Sequence, residues 1–239
     1  MIPLRDENPT LSPPHVTRLL IIANVIVFLL VWLSDFVTAL SGFKIISLED
    51  AILRYGMIPY YIMNGERLYT LFTSMFLHGG IVHLVGNMLY LHIFGDNVEY
   101  AFGHGRYVAF YLLCGIAASV AHILSITTAD GWLVPAVGAS GAISGVLGAY
   151  ILLYPRARVL TLVLVYWAYI VHIPAVFFLG FWFIFQFLEG ILTLGLGVPS
   201  GVAYWAHIGG FVAGIALAPI LKKRKLPPVP IRSSTYISG

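Results

Sequence analysis

The sequence predicts an all-α polytopic membrane protein, with six transmembrane helices and an interfacial loop between helices 1 and 2. Three observations carry that prediction. Of 239 residues, 59% are hydrophobic and 10% charged, against about 25% charged in a soluble domain. Several apolar runs reach the roughly 20 residues that cross a bilayer. The basic residues fall into alternate connections between those runs.

Residues 1–18 are polar and contain four prolines, which predicts a disordered or interfacial lead-in. The run 19–40 is longer than the roughly 7–15 residues of a signal-peptide core. No A-x-A site follows it, so a retained first span is expected. Residues 41–77 mix charges with Tyr55, Tyr60, Tyr61 and Tyr69. Such a mixture suits the headgroup level, and short helices at the membrane edge are expected there. Further spans are expected over 80–97, 107–126, 137–154, 174–194 and 201–221. The run 159–188 has no Asp, Glu, Lys or Arg, and Pro174 interrupts it. Its length is too great for one span and too small for two. Residues 159–173 are therefore expected to form a half-buried connection. The membrane domain is residues 19–221, and 222–239 is a basic, Pro-rich tail expected to be disordered.

Charge tests this arrangement. Six spans put both termini on one side, with Arg5, Arg18, Arg106, Arg156, Arg158, Lys222, Lys223, Arg224, Lys225 and Arg232, which are 10 of the 13 basic residues. Lys44, Arg54 and Arg67 fall opposite. The positive-inside rule then makes both termini cytoplasmic. A seventh span would move Lys222–Lys225 across, so six is preferred. The net charge of +3 therefore reports topology and not a nucleic-acid partner. The single cysteine, Cys114, excludes an intrachain disulfide. No His-Glu-x-x-His occurs, and neither metal nor cofactor is expected.

In this topology spans 2, 4 and 6 run the same way, and each has polar residues near its outer end. These are His83 and Asn87, one helical turn apart, then Ser140, then His207. All lie within roughly 15 Å of the outer boundary at 1.5 Å rise per residue. Gly141, Gly145 and Gly148 on span 4, with Gly210 and Gly214 on span 6, permit close backbone approach. That approach brings Ser140 within reach of His207. Helix packing alone explains a serine flanked by glycines. A histidine at the same depth adds a base for a hydroxyl that is otherwise a poor nucleophile. His83 and Asn87 side chains, with the Ser140 backbone N–H, are candidate donors to an oxyanion. No intramembrane Asp or Glu is placed to orient His207, so a dyad is expected.

In these residues the chain resembles the rhomboid family of intramembrane serine proteases. The matching pieces are Gly138-Ala-Ser140-Gly141, His83-Leu-Val-Gly-Asn87 and Ala206-His207-Ile-Gly-Gly210, with His78-Gly-Gly-Ile-Val-His83 and Gly95-Asp-Asn-Val-Glu99 flanking span 2. The resemblance covers about Tyr69 to Pro219. Gly-x-Ser-Gly alone is weak; all three motifs in order on the expected spans are specific. The resemblance implies a rhomboid-like bundle cleaving single-pass transmembrane substrates within the lipid bilayer. It implies Ser140 as nucleophile, His207 as general base, and His83 and Asn87 as the oxyanion hole, with Gly138 shaping the loop before Ser140. It also implies a fifth span that moves to admit substrate.

Two departures stand out. Tyr69-Thr70 replaces a Trp-Arg pair that family members often have, with Arg67 nearby, and Ser144 replaces an aromatic against the histidine. Phe185 or Trp182 is the candidate substitute. His78 is a candidate to shape the oxyanion region, and Glu99 to tie down a loop end. His15 and His104 are expected in water, and His92, His122 and His172 in packed or hydrogen-bonded places. The competing reading from another class is a catalytically inactive relative that binds transmembrane helices; loss of Ser140 or His207 would favour it, and both are present. A transporter would show repeats or broken helices at a midplane site. The six-span core without added domains suggests a prokaryotic plasma membrane.

Overall fold

The computed structural model describes residues 1–41, 46–196 and 201–223. The expected tail lies outside the described residues from 224 onward, as does Lys44.

The protein is mostly helical. Helix α1 spans His15–Ser41, α5 Ile81–Phe102, α6 His104–Leu124, α7 Ser140–Leu153, α8 Ala175–Leu196 and α9 Tyr204–Leu221. Between α1 and α5 lie the short helices α2 (Leu48–Tyr55), α3 (Pro59–Met63) and α4 (Thr70–Thr73). A reciprocal capping box between Ser47 and Asp50 starts α2, and Pro59 occupies the first turn of α3. Among the described residues four helices are long and apolar enough to cross a membrane by themselves: α1, α6, α8 and α9. Helix α5 meets that standard together with the segment Thr70–Phe76, from which it is bent by 94°.

Helix α7 departs from expectation. It has 14 residues and starts only at Ser140, so at 1.5 Å per residue it is about 21 Å long, short of the roughly 30 Å hydrocarbon core. Its length is set at its start. Met57 and Ala136 exchange backbone hydrogen bonds of 3.0 and 2.8 Å, and the Gly138 N–H donates to the Ser74 carbonyl at 2.9 Å. These bonds hold the preceding chain extended, so the helix cannot begin earlier. Gly141 through Tyr150 are all buried, and α7 is the centre of the bundle.

Glycine makes that burial possible. A Cβ on Gly210 would run into the Gly141 carbonyl, one on Gly214 into the Gly145 carbonyl, and one on Gly148 into the Phe211 carbonyl. Helices α7 and α9 therefore touch backbone to backbone. The buried Cys114 packs against Gly145.

The all-α expectation needs correction. A three-stranded antiparallel sheet, in the order β1-β2-β3, joins β1 (Ile2–Asp6), β2 (Arg158–Leu164) and β3 (Ala168–Pro174). Residues 2–6 are thus a strand within the expected lead-in, and α1 begins at His15, not residue 19. The expected connection 159–173 is a hairpin: its Val, Ile, Thr and Tyr residues favour extended chain, and β1 supplies the third strand that a lone hairpin needs. The sheet sits where helix ends meet. The Tyr150 hydroxyl donates to Asp6 at 2.6 Å, and the Tyr154 hydroxyl to the Asn97 carbonyl at 3.1 Å. Glu99, 1% exposed, accepts the Val16 and Thr17 N–H groups at 2.9 and 2.7 Å and bonds His104 at 2.6 Å. It caps α1, whose first N–H groups have no intrahelical acceptor, and so has the structural role expected of it.

Asp6 makes this junction sensitive to pH. Burial, with a smaller push from Glu7, raises its carboxyl from 3.8 to about 6, although the Tyr150 hydrogen bond opposes the rise. A raised folded-state value means the folded protein holds this proton more tightly. The stabilisation is therefore complete below about pH 4 and lost as pH rises through about 6. Asp6→Asn is expected to raise the thermal midpoint at neutral pH and to flatten its decline across that window, as followed by thermal unfolding in detergent.

Candidate active site

Ser140 is the first residue of α7 and His207 lies in the first turn of α9. The glycine contact between these helices brings the two side chains together. His207 Nε2 is 2.8 Å from Ser140 Oγ, and His207 Nδ1 is 2.8 Å from Gln186 Oε1. One tautomer satisfies both bonds. With the proton on Nδ1, His207 donates to the Gln186 carbonyl oxygen, and Nε2 accepts from the Ser140 hydroxyl. That arrangement leaves the basic nitrogen on the serine.

Helix α8 supplies the surroundings of His207. Trp182, one helical turn before Gln186, places its ring 6.0 Å from the imidazole at 37°. Of the two aromatics considered as substitutes for Ser144, Trp182 is therefore the one at the histidine; Phe185 is exposed. Ser144 instead donates to the Ser140 carbonyl at 2.7 Å. Gln186 is a partner of His207 that sequence reasoning missed, because it looks there for a carboxylate or an aromatic. The available signal was the chain's only glutamine, within an otherwise apolar run.

Gly138 has φ +125°, a conformation side chains disfavour. A Cβ there would stand 2.8 Å from His83 Cε1 and Nε2 and 3.7 Å from Asn87 Nδ2. The structure thus brings His83 and Asn87 against the loop two residues before Ser140. Asn87 is 8% exposed, and its buried Nδ2 has no hydrogen-bond partner among the described residues. The His78 ring meets His83 edge-on at 5.1 Å. The backbone N–H of Ser140 belongs to the first helical turn, which has no intrahelical acceptors and carries the positive end of the helix dipole.

A small cavity adjoins Ser140, lined in part by Ser74, Ser119, His122, Gly138 and Ala206. His122 is thus near the serine. His104 bonds Glu99, and His172 is 3.1 Å from Glu7. Among the described residues no group of three or more His, Cys, Asp or Glu side chains is placed to hold a metal.

The fold and site define a mostly helical membrane protein in which a serine is hydrogen-bonded to a histidine across two glycine-faced helices. The particular family follows from comparison. The Rhomboid domain model matches residues 65–224. The RHOMBOID-like protein 6, mitochondrial, of Arabidopsis thaliana is 33% identical over 160 residues, covering 67% of this chain and 46% of that protein. The rhomboid protease GluP of Bacillus subtilis is 34% identical over 67% of this chain and 27% of its own. The inactive rhomboid protein 1 of Drosophila melanogaster is 28% identical over 68% of this chain and 10% of its own. The chain belongs to the rhomboid family and is a multi-pass membrane protein. The matched region spans half or less of each of these relatives.

Proposed function

We propose that this protein is an intramembrane serine endopeptidase that cleaves single-pass transmembrane segments. The observation that carries the reading is the continuous chain Ser140 Oγ, His207 Nε2, His207 Nδ1, Gln186 Oε1, with 2.8 Å at each hydrogen bond. In this reading Ser140 Oγ attacks the scissile carbonyl carbon and its proton passes to His207 Nε2. The carbonyl oxygen becomes an oxyanion, which accepts from Asn87 Nδ2, His83 and the Ser140 N–H. Collapse breaks the C–N bond, and His207 returns the proton to the departing amine. Water, for which the small cavity beside Ser140 offers a place with Ser74, Ser119 and His122 in its lining, hydrolyses the acyl-enzyme by the same route. Six membrane crossings follow if α5 and α7 are counted with the four long helices, and both termini then lie on the basic, cytoplasmic side. The relatives include plant, mitochondrial and bacterial proteins, so they do not favour a prokaryotic plasma membrane over other membranes.

The test is cleavage of a model single-pass protein by the purified protein in vesicles, with products identified by mass. Cleavage within the membrane segment that survives a chelator is expected. Retention of the intact segment by a folded but inert protein would contradict the reading and favour the helix-binding one.

Two residues refine it. Asn87→Ala is expected to lower kcat about 100–1000-fold, the usual effect of removing one oxyanion donor. Gln186→Leu is expected to lower kcat by roughly tenfold to 100-fold, a part of the about 10²–10⁴ that a placed general base contributes. The pH–rate profile should shift as well, because His207 loses the acceptor that fixes its tautomer.

A further inference from the structure

The three-stranded sheet has no part in the chemistry above, yet among the described residues outside the long helices it carries the most exposed aromatic side chains, Tyr166 and Trp167. We propose that the tip of the β2–β3 hairpin inserts into the headgroup region of the surrounding bilayer, and that basic residues at its base bind anionic lipid there.

Position comes first. Strand β2 begins five residues after α7 ends, and α8 begins at the residue after β3. The sheet is therefore held at the level where the bundle meets the membrane surface. Its two faces differ. Pro3, Val159 and Thr161 lie on one face and are buried, and Asp6 on the same face bonds Tyr150 of α7. That face packs on the bundle near the base, but its cover ends before the tip. Cross-strand pairing puts Tyr169 on the same face, and it is 52% exposed. At the turn itself Tyr166 is 93% and Trp167 75% exposed. The tip thus projects past the helices. An apolar overhang at this level meets lipid, and Tyr and Trp are the side chains that settle at the headgroup boundary.

The opposite face is graded along its length. Ile2, Leu162 and Ile170 pair across the strands toward the tip, and Arg5, Leu160 and His172 pair near the base beside Arg158. Arg5, Arg156 and Arg158 are exposed, as are Arg18, Arg106 and Lys222 on the same side. The acidic groups of this side are engaged: Asp6 with Tyr150, Glu7 with His172, Glu99 with α1 and His104, and Asp96 with the Asn97 N–H. The exposed charge is therefore basic, complementary to anionic headgroups, to which each such residue near a surface is attracted. Depth is limited by β3, which is an edge strand. Its outward backbone groups need water or headgroups and cannot enter hydrocarbon. Headgroup-level seating satisfies both the apolar tip and the polar edge.

The test reads position, not cleavage, so it stands or falls independently of the protease reading. The full chain with Cys114→Ala and Trp167→Cys is spin-labelled at 167 and placed in vesicles of phosphatidylcholine alone or with one-third phosphatidylglycerol. Collision with oxygen reports lipid, and collision with a nickel chelate reports water. The label is expected to favour oxygen, more so with phosphatidylglycerol, and Arg5→Gln with Arg158→Gln is expected to remove that difference. Tyr166→Cys serves as a second label site and should give the same order. A label freely reached by nickel in both vesicles would overturn the proposal. So would equal depth in the two lipids, or a label shielded from both reagents, which would mean that a protein segment covers the tip.

Discussion

Ser140→Ala and His207→Ala are each expected to lower cleavage by about 10⁶-fold, and the double variant no further. The non-additivity is the informative part. In a serine–histidine mechanism the two side chains act as a unit, so losing either one removes nearly everything that losing both would. The hydrogen bond of 2.8 Å between Ser140 Oγ and His207 Nε2 is the physical basis for that coupling. Both substitutions remove atoms without adding any, and neither residue contributes to the glycine contact of α7 and α9. Thermal unfolding should therefore change little while activity disappears. Two single losses that multiplied in the double variant would mean that the residues act separately.

Gly214→Ala is expected to abolish most activity by a different route. The added methyl would run into the Gly145 carbonyl. Backbone cannot yield as the end of a flexible side chain can, so α7 and α9 must separate. Overpacking of this kind costs about 1–3 kcal/mol. The separation also lengthens a serine–histidine bond about two helical turns away, and a misplacement of about 1 Å can cost 100-fold in rate. A fall of several degrees in the thermal midpoint should accompany the loss of turnover. Gly86→Ala is the control: beyond its own helix, no atom of the described residues lies within 4 Å of the Cβ position, and it should leave both quantities unchanged.

The contrast between these variants reflects what was legible in the sequence. Hydrocarbon excludes polar side chains unless they have work or partners, so Ser140 and His207, at one depth on separate apolar runs, identified themselves as a pair. The glycines that let α7 and α9 meet were legible too, since small residues at this spacing mark close helix contacts in a membrane. Pro174 marked the start of α8 to within one residue. Gln186 was not found because it is neutral; an amide can orient an imidazole as a carboxylate does, with less charge to bury. The sheet was not found because strand pairing between residues 2–6 and 158–164 leaves no local pattern. The β-branched run 158–174 read as apolar chain until a partner from the other end of the molecule was present. The late start of α7 was hidden likewise: the apolar run continues through Val137, but φ +125° at Gly138 and its bond to Ser74 delay the helix.

The reactivity of Ser140 is the central claim, and labelling of the purified protein by a fluorophosphonate tests it most directly. The reagent reacts with a serine hydroxyl only when a base draws off its proton, and it requires no knowledge of the substrate. One label per chain at Ser140 is expected, absent from Ser140→Ala and from His207→Ala. A folded wild-type protein that takes no label, or one that His207→Ala labels equally well, would contradict the account.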